Sequence, residues 1–390
     1  MILAVALILC APQPLTFAAA VARAEKANGE LAAARLGEPV ARAGVDAAGQ
    51  LANPVFSFSA GPDDPTVSAA VDVKLPIFGQ RGAAIAAAET AVPVAQADLE
   101  SRRIKLRAAV RRSFHALADA QTQLTLAEEA AAFAARLEKM AAERFAAGSA
   151  PQLEAEQAAL ARKRADQDRA DRASLLIEAR VGLATLLGDG GQDVAAAGAA
   201  PLSIAPEEPA VATALDKHPE VAGLEGQRLQ ALARADVERT NLRPLPDVSL
   251  TLERLSGSPT PYLGLRAGLS FELPILSQSR GKIREAEAQA AQSSAQARAA
   301  RQRLQGEARA ARARLDGASA RARFASQELI PAAERVEKMA RDGYQLGRAP
   351  LLSVLQAQAE VSSAKSKASS AALEAQRALA DLEEAIGAAL

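Results

Sequence analysis

Two histidines, one cysteine and three methionines are the residues of this chain best equipped to bind a metal or move a proton near neutral pH. His115 falls in the middle of a helical pattern and His218 immediately before Pro219, so neither has a ligand pair or general-base partner at a recognisable spacing. A lone Cys10 supports neither an intramolecular disulfide nor a cysteine metal cluster. Met140 and Met339 occupy matching positions of a repeat, on a helix face, where packing is the expected role. No phosphate loop, nucleophile elbow or metal-ligand pair occurs. No catalytic residue, metal site or cofactor is therefore expected, and the chain reads as a protein that is not an enzyme. Its 46 acidic and 46 basic residues are interspersed, which argues against nucleic acid as a partner.

What does recur is a segment. Residues 136–158, RLEKMAAERFAAGSAPQLEAEQA, return at 335–357 as RVEKMARDGYQLGRAPLLSVLQA, with 11 of 23 positions identical at an offset of 199. The same relation joins AVARAEKANGEL at 20–31 to AVATALDKHPEV at 210–221, an offset of 190 that places His218 opposite Asn28 in a capping or turn-shaping position. Leu75, Pro76 and Ile77 correspond to Leu273, Pro274 and Ile275 at an offset of 198. LATLLG at 183–188 answers LEEAIG at 382–387. The chain is a tandem duplication. A leader over 1–14 precedes a first copy over 15–188, a linker over 189–208 and a second copy over 209–390.

Composition points to long helices: alanine dominates, aromatics make up 3% and tryptophan is absent. Residues 80–146 contain one proline, Pro93, and no helix-breaking pair, which predicts a helix reaching roughly 100 Å at the standard rise. A second long pattern over 280–346 contains Pro331, where a kink is expected. Small residues cover every face, so these helices gain stability only by close packing against neighbours. MILAVALILCA, the opening run, resembles a secretory h-region without basic residues before it. Cys10 is also a candidate for acylation, although Leu9 stands where a small residue is wanted. No other run approaches the roughly 18 apolar residues of a spanning helix.

A membrane span must then come from strands. From 263 to 273, Leu263, Leu265, Ala267, Leu269, Phe271 and Leu273 alternate with polar or small residues. In PDVSLTLE, Val248, Leu250 and Leu252 alternate likewise. The first copy offers VFSFSA and VSAAVDVKL around the turn-rich GPDDPT. One β-hairpin is predicted per copy, over 55–75 and 247–273. The alternation fits tilted transmembrane strands and half-buried soluble hairpins equally.

Between the long helices of each copy lies a turn, near 146–151 and 346–350. Gly148 and Gly347 stand where a helix needs its C-terminal cap. Pro151 and Pro350 suit the first turn of the next helix. Phe145 and Tyr344, three residues before the glycines, put an aromatic ring beside each turn.

The entry segments, the joints KLPIFGQRG and ELPILSQSRG, and the tip pattern Phe145, Gly148, Leu153, Gln157 with its copy Tyr344, Gly347, Leu352, Gln356 resemble the TolC-type outer-membrane channels. These are exit ducts of tripartite efflux pumps and type I secretion systems, and the length and joint look most like the heavy-metal cation branch. The resemblance covers nearly the whole chain after the leader. It implies a mainly α fold with a small β part: duplicated long helical hairpins forming a trimeric α-barrel, continuous with a 12-stranded transmembrane β-barrel of four strands per protomer. It implies an outer-membrane location with a long periplasmic extension and a homotrimer in outer-membrane lipid. A periplasmic adaptor would dock at the tip, formed by Phe145, Gly148, Pro151, Tyr344, Gly347 and Pro350, and would link the duct to an inner-membrane pump. Some relatives carry acidic residues six and nine positions after the second tip glycine, and here Ser353 and Gln356 stand there instead. Glu154 of the first copy is the remaining carboxylate candidate for the pore constriction. Phe56, Phe58, Phe78, Tyr262 and Phe271 make only a thin aromatic girdle. A soluble periplasmic coiled-coil adaptor and a protein-secretion duct are the competing readings.

Overall fold

The structure, a computed structural model, describes residues 14–188, 194–198, 214–256, 260–272 and 278–390. The leader with Cys10, the residues at 189–193 and 199–208 of the linker, the 210–213 start of the second entry segment and the joint residues 273–277 lie outside the described residues. In chain order the elements are β1 (Pro14–Leu15), α1 (Phe17–Ala27), α2 (Gly29–Arg35), α3 (Gly37–Gly49), β2 (Val55–Ala60), β3 (Val67–Lys74), α4 (Gln80–Glu89), α5 (Ala91–Ala146), α6 (Gln152–Leu186) and β4 (Ala195–Ala196). They continue with α7 (Pro219–Thr240), β5 (Pro246–Leu255), β6 (Tyr262–Phe271), α8 (Arg280–Phe324), a π-helical turn (Ala325–Leu329), α9 (Ile330–Gln345) and α10 (Leu351–Ile386). Mainly helical with a small sheet, this is the architecture that alanine content and period-two alternation predict. No described helix is long and apolar enough to cross a membrane.

Two compact units form, and each takes chain from both sequence copies. One comprises 33–101 and 216–302, the other 1–32, 102–215 and 303–390.

In the first unit the two predicted hairpins, β2–β3 and β5–β6, join through β3 and β5 into one antiparallel sheet of order β2-β3-β5-β6. Register decides what each face carries. Phe56 pairs with Val71, Phe58 with Ala69, Val71 with Leu250, Ala69 with Leu252, Leu250 with Ala267 and Leu252 with Leu265. Directly opposed residues in an antiparallel ladder share a face, so these side chains form one continuous apolar band. The alternate positions pair Ser59 with Ser68, Ser68 with Glu253, Asp72 with Ser249 and Thr251 with Arg266, making the other face polar. The apolar face is the exposed one. Leu265 is 71% exposed and Phe56 69%, whereas Glu253 on the polar face is 5% exposed and ion-paired to Arg266 at 3.0 Å. An ordinary half-buried hairpin covers its apolar side, so this sheet resolves the alternation in favour of strands that present apolar side chains outward.

The strand-to-helix joint of the first copy is stitched to the second. After Gly79, Gln80 accepts from the Phe78 backbone N–H at 3.1 Å and donates to the Arg243 and Pro244 carbonyls, while Arg243 Nη1 donates to the Phe78 carbonyl at 2.8 Å. This is why the LPIFGQR pattern has its glycine and glutamine.

The expectation of one uninterrupted helix over 80–146 is corrected. The helix breaks at Thr90, giving α4 and the 56-residue α5. Pro93 supplies no N–H to the Glu89 carbonyl, and the break falls where that bond is missing. At Pro331, where a kink is expected, the helix carries a π-helical turn just ahead of the proline, over Ala325–Leu329.

In the other unit, β1 pairs in parallel with β4, and α5 from residue 102 and α6, with α8 from residue 303, α9 and α10, form the long helical hairpins. Leu304, Ala308, Ala311, Leu315 and Ala318 of α8 recur at three- and four-residue spacing. All but Leu304 pack in one cluster with Ala375, Ala378, Leu379, Leu382 and Ala385 of α10. Alanine at most of these positions lets the backbones approach closely. The two copies are also tied by charge. Arg111 of α5, 3% exposed, donates through Nε and Nη2 to the two oxygens of Glu383, both at 2.9 Å, and through Nη1 to Gln376 at 3.3 Å. Such a fork satisfies a buried carboxylate that would otherwise be costly.

The sheet predicts an asymmetric response to charge. Leu265→Arg on the exposed apolar face is expected to cost about 2–4 kcal/mol at membrane mid-depth. It should strongly reduce the heat-modifiable oligomer recovered from outer-membrane fractions, while Ala70→Lys on the polar face leaves recovery near wild type. Equal recovery of both variants would contradict the face assignment.

Candidate functional site

The two helix-to-helix turns close alike. Gly148 has φ +70° and Gly347 +71°, the left-handed conformation that favours glycine. In the first turn the Ser149 N–H bonds the Arg144 carbonyl at 2.9 Å and the Gly148 N–H bonds the Phe145 carbonyl at 2.9 Å. In the second, the Arg348 N–H bonds the Gly343 carbonyl at 2.8 Å and the Gly347 N–H bonds the Tyr344 carbonyl at 3.0 Å. Both are Schellman caps, which satisfy the last carbonyls of α5 and α9. Pro151 and Pro350 sit one position earlier than the first helical turn. Each is the extended residue immediately before its helix, with ψ of 152° and 155°.

The aromatic residues of the two turns part company. Phe145 is 45% exposed, but Tyr344 is fully buried in a cluster of Leu137, Ala141, Ala158, Leu351 and Val354, with Met140 packed beside it. The Tyr344 hydroxyl donates to Glu154 Oε2 at 3.3 Å. Arg144 lies with its guanidinium carbon 4.5 Å from the centre of the Tyr344 ring, and its Nη1 donates to the Tyr344 carbonyl at 3.4 Å. Burial pushes the Tyr344 phenol above its ordinary range, with Arg144 opposing and Glu154 adding to the shift. The hydroxyl therefore remains a protonated donor. The first-copy tip thus grips the second through one ring, one cation and one carboxylate.

Of the constriction candidates, Glu154 is half-buried and has this internal partner. The Ser353 hydroxyl donates to the Pro350 carbonyl at 2.7 Å, inside its own turn, and Gln356 is exposed. Arg144 was not legible as a site residue. The one signal was divergence between the copies, since Arg144 and Phe145 correspond to Gly343 and Tyr344. Phe145, Leu153, Leu346 and Leu352 form an exposed apolar rim on the turns.

Elsewhere in this unit His115 is buried, with Phe17 and Phe114 rings 6.1 and 5.3 Å from its own, and its Nε2 finds no hydrogen-bond partner. Burial, followed by the nearby Arg111 charge, lowers its pKa to about 4. In the strand-bearing unit His218 caps α7, its Nδ1 accepting from the Glu220 N–H at 3.1 Å, as Asn28 accepts from Leu31 at 2.9 Å in the other unit. Among the described residues no group of three or more potential metal ligands converges.

An outward-facing apolar sheet, a polar opposite face, and paired helical hairpins that end in capped, interlocked turns define a membrane channel subunit of the TolC type. The chain belongs to the outer membrane efflux protein family, which it matches over residues 20–189 and 210–388. It is similar to the cobalt-zinc-cadmium resistance protein CzcC of Cupriavidus metallidurans, at 28% identity over 351 residues covering 88% of this chain and 83% of that one. Its fold matches a crystal structure of CusC, with a TM-score of 0.78, 20% identity and coverage of 96% and 92% of the two chains. It also matches the outer membrane protein VceC of Vibrio cholerae, with a TM-score of 0.77, 16% identity and coverage of 95% and 96%. The chain is the outer-membrane component of an efflux pump, a passive channel and not an enzyme.

Removing the hydroxyl in Tyr344→Phe is expected to leave the ring packed and cost about 0.5–1.5 kcal/mol of tip stability. Single-channel recordings should then show more frequent opening, and recordings indistinguishable from wild type would mean that the Tyr344–Glu154 bond does not hold the channel closed. His115 gives a pH prediction with a definite sign. Its folded pKa lies below the ordinary 6.5, so the unfolded chain takes up the proton first and stability falls as pH drops from 6.5 towards 4. A pKa lowered this far corresponds to a loss of roughly 3 kcal/mol, absent in His115→Leu. Thermal dissociation profiles of the two proteins at pH 7 and pH 4 make the comparison.

Proposed function

We propose that three copies of this chain assemble into the exit duct of a tripartite pump that exports divalent heavy-metal cations. The observation that carries the reading is the four-stranded sheet, whose exposed apolar face needs lipid and whose edge strands β2 and β6 are unpaired among the described residues. In lipid an open edge is not tolerated, so β6 of one copy must pair with β2 of the next. Two copies would give eight strands, a closure that interior side chains fill. Three give 3 × 4 = 12 strands and leave a lumen lined by the face of Ser68, Asp72, Ser249, Thr251 and Arg266.

The helical hairpins then extend the duct into the periplasm, with both turns at its entrance. The exposed rim of Phe145, Leu153, Leu346 and Leu352 beside the capped glycines offers a periplasmic adaptor an apolar footing, and the adaptor connects the duct to an inner-membrane pump. Opening the entrance requires Tyr344 to leave Glu154. The freed Glu154 becomes the acidic group at the constriction, beside Ser353 and Gln356. The similarity to a cobalt-zinc-cadmium resistance protein supports a metal cargo. Cargo choice itself rests with the pump, since a passive duct has no selective site.

Deleting the gene in its host should sensitise cells to cobalt, zinc or cadmium, with resistance restored by the wild-type chain. Gly347→Val places a β-branched residue at positive φ, at a cost of about 1–3 kcal/mol confined to one tip. It should leave oligomers in the outer membrane yet fail to restore resistance. Unchanged metal tolerance in the deletion strain would overturn the cargo assignment, and full complementation by Gly347→Val would overturn the role of the tip.

A further inference from the structure

The sequence copies are offset by 198 at the strand-to-helix joint and by 199 at the tip, so the second copy holds one additional residue between those points. Core leucines narrow the interval. Leu106 and Leu304 are both buried at the 198 offset, as are Leu117 and Leu315. Arg136 and Arg335 already obey 199. The extra residue therefore enters between 315 and 335. Within that window, and nowhere else among the described residues, the helix is π-helical, over Ala325–Leu329. The Ile330 N–H reaches back five residues to the Ala325 carbonyl. A widened π-turn takes up one residue while leaving the flanking helix in phase, and such turns are typical of functional sites.

The two copies consequently differ in stiffness at equivalent points. Residues 127–130, the four-residue counterpart of the five-residue π-turn, lie inside unbroken α5, with Ala127 and the following Ala131 buried. In the second copy Pro331 follows two residues after the π-turn and supplies no N–H to the Gln327 carbonyl, removing one more rung of the ladder. The Ser326 hydroxyl donates to the Arg323 carbonyl at 3.0 Å instead of supporting a neighbouring helix. Packing is open here as well. A cavity of about 370 Å³ lies against the turn, lined by Phe324, Ala325 and Leu329 on one side and Ser366, Ser370 and Ala371 of α10 on the other. Beyond it, α9 runs to Tyr344, which Glu154 and Arg144 hold. The segment from 330 to 345 is an arm with a weak joint at one end and a latch at the other.

We propose that the π-turn at Ala325–Leu329 is the hinge on which the second-copy tip swings when the duct opens, while the first-copy tip stays fixed on its continuous helix. This rests on the channel reading above. Releasing the latch without the hinge would leave a straight helix that still blocks the entrance.

Hydrogen exchange on the purified wild-type oligomer tests the joint directly: amides of 325–332 should exchange about tenfold faster than those of 126–133. Two variants test its use. Deletion of Gln327 combined with Pro331→Ala restores a regular α-helix in phase, and Pro331→Ala alone keeps every residue and returns the missing N–H. In lipid bilayers both should open several-fold less often than wild type. Either one should also suppress the additional openings caused by Tyr344→Phe. Equal protection of the two segments, or variants that open as often as wild type, would overturn the hinge. A wild-type oligomer with no conductance at all speaks against the channel reading instead, and the exchange comparison then decides the hinge alone.

Discussion

A single copy of this chain cannot satisfy its own β-sheet. The register places Phe56, Phe58, Ala69, Val71, Leu250, Leu252 and Leu265 on one face, and that face is the exposed one, while the carboxylate of Glu253 is drawn into the polar side and paired with Arg266. Such polarity is stable only where the outer medium is apolar and the enclosed space is wet. Two edge strands with unpaired backbone groups add a second demand, because hydrocarbon offers no alternative partner. Duplication supplies two hairpins, and the β3–β5 pairing between copies turns them into the repeating unit of a closed wall.

The helical part solves a different problem with a different composition. Its cores are built from alanine with occasional leucine, as in the Ala308, Ala311 and Leu315 seam against Ala375, Ala378 and Leu382. Seams of this kind bury little area per residue and gain by close approach over great length, which suits hairpins that must stay slender. Where the two copies meet, an apolar cluster of Leu137, Ala141 and Ala158 with Leu351 and Val354 is joined by polar ties, among them the Arg111–Glu383 fork and Tyr344 held by Arg144 and Glu154. Such ties are directional. One can be broken locally while the alanine seams persist.

Much of this was legible in the sequence because it depends on periodicity and on residues with special backbone freedom. Period-two alternation located both hairpins to within a few residues, and Gly148 and Gly347 marked the caps through the positive φ they adopt. His218 opposite Asn28 was readable as a cap for the same local reason. What escaped depends on geometry between distant segments. Nothing local in RLEKMAAERF reveals that Arg144 will stack on a tyrosine 200 residues away, or that Glu154 will meet that hydroxyl. Pro93 and Pro331 announced interruptions without specifying their form. At Pro93 the ladder breaks outright at Thr90, and at Pro331 a spare residue is absorbed as a π-turn. The one-residue change in repeat offset was the signal for the latter, and only the buried positions of Leu117 and Leu315 give it a location.

Native mass spectrometry of the protein extracted gently from outer membranes tests the central claim most directly, because closure of the wall fixes the number of copies. The account predicts a single species at three times the mass of one copy, collapsing to one copy on heating. A monomer extracted under the same conditions would contradict it.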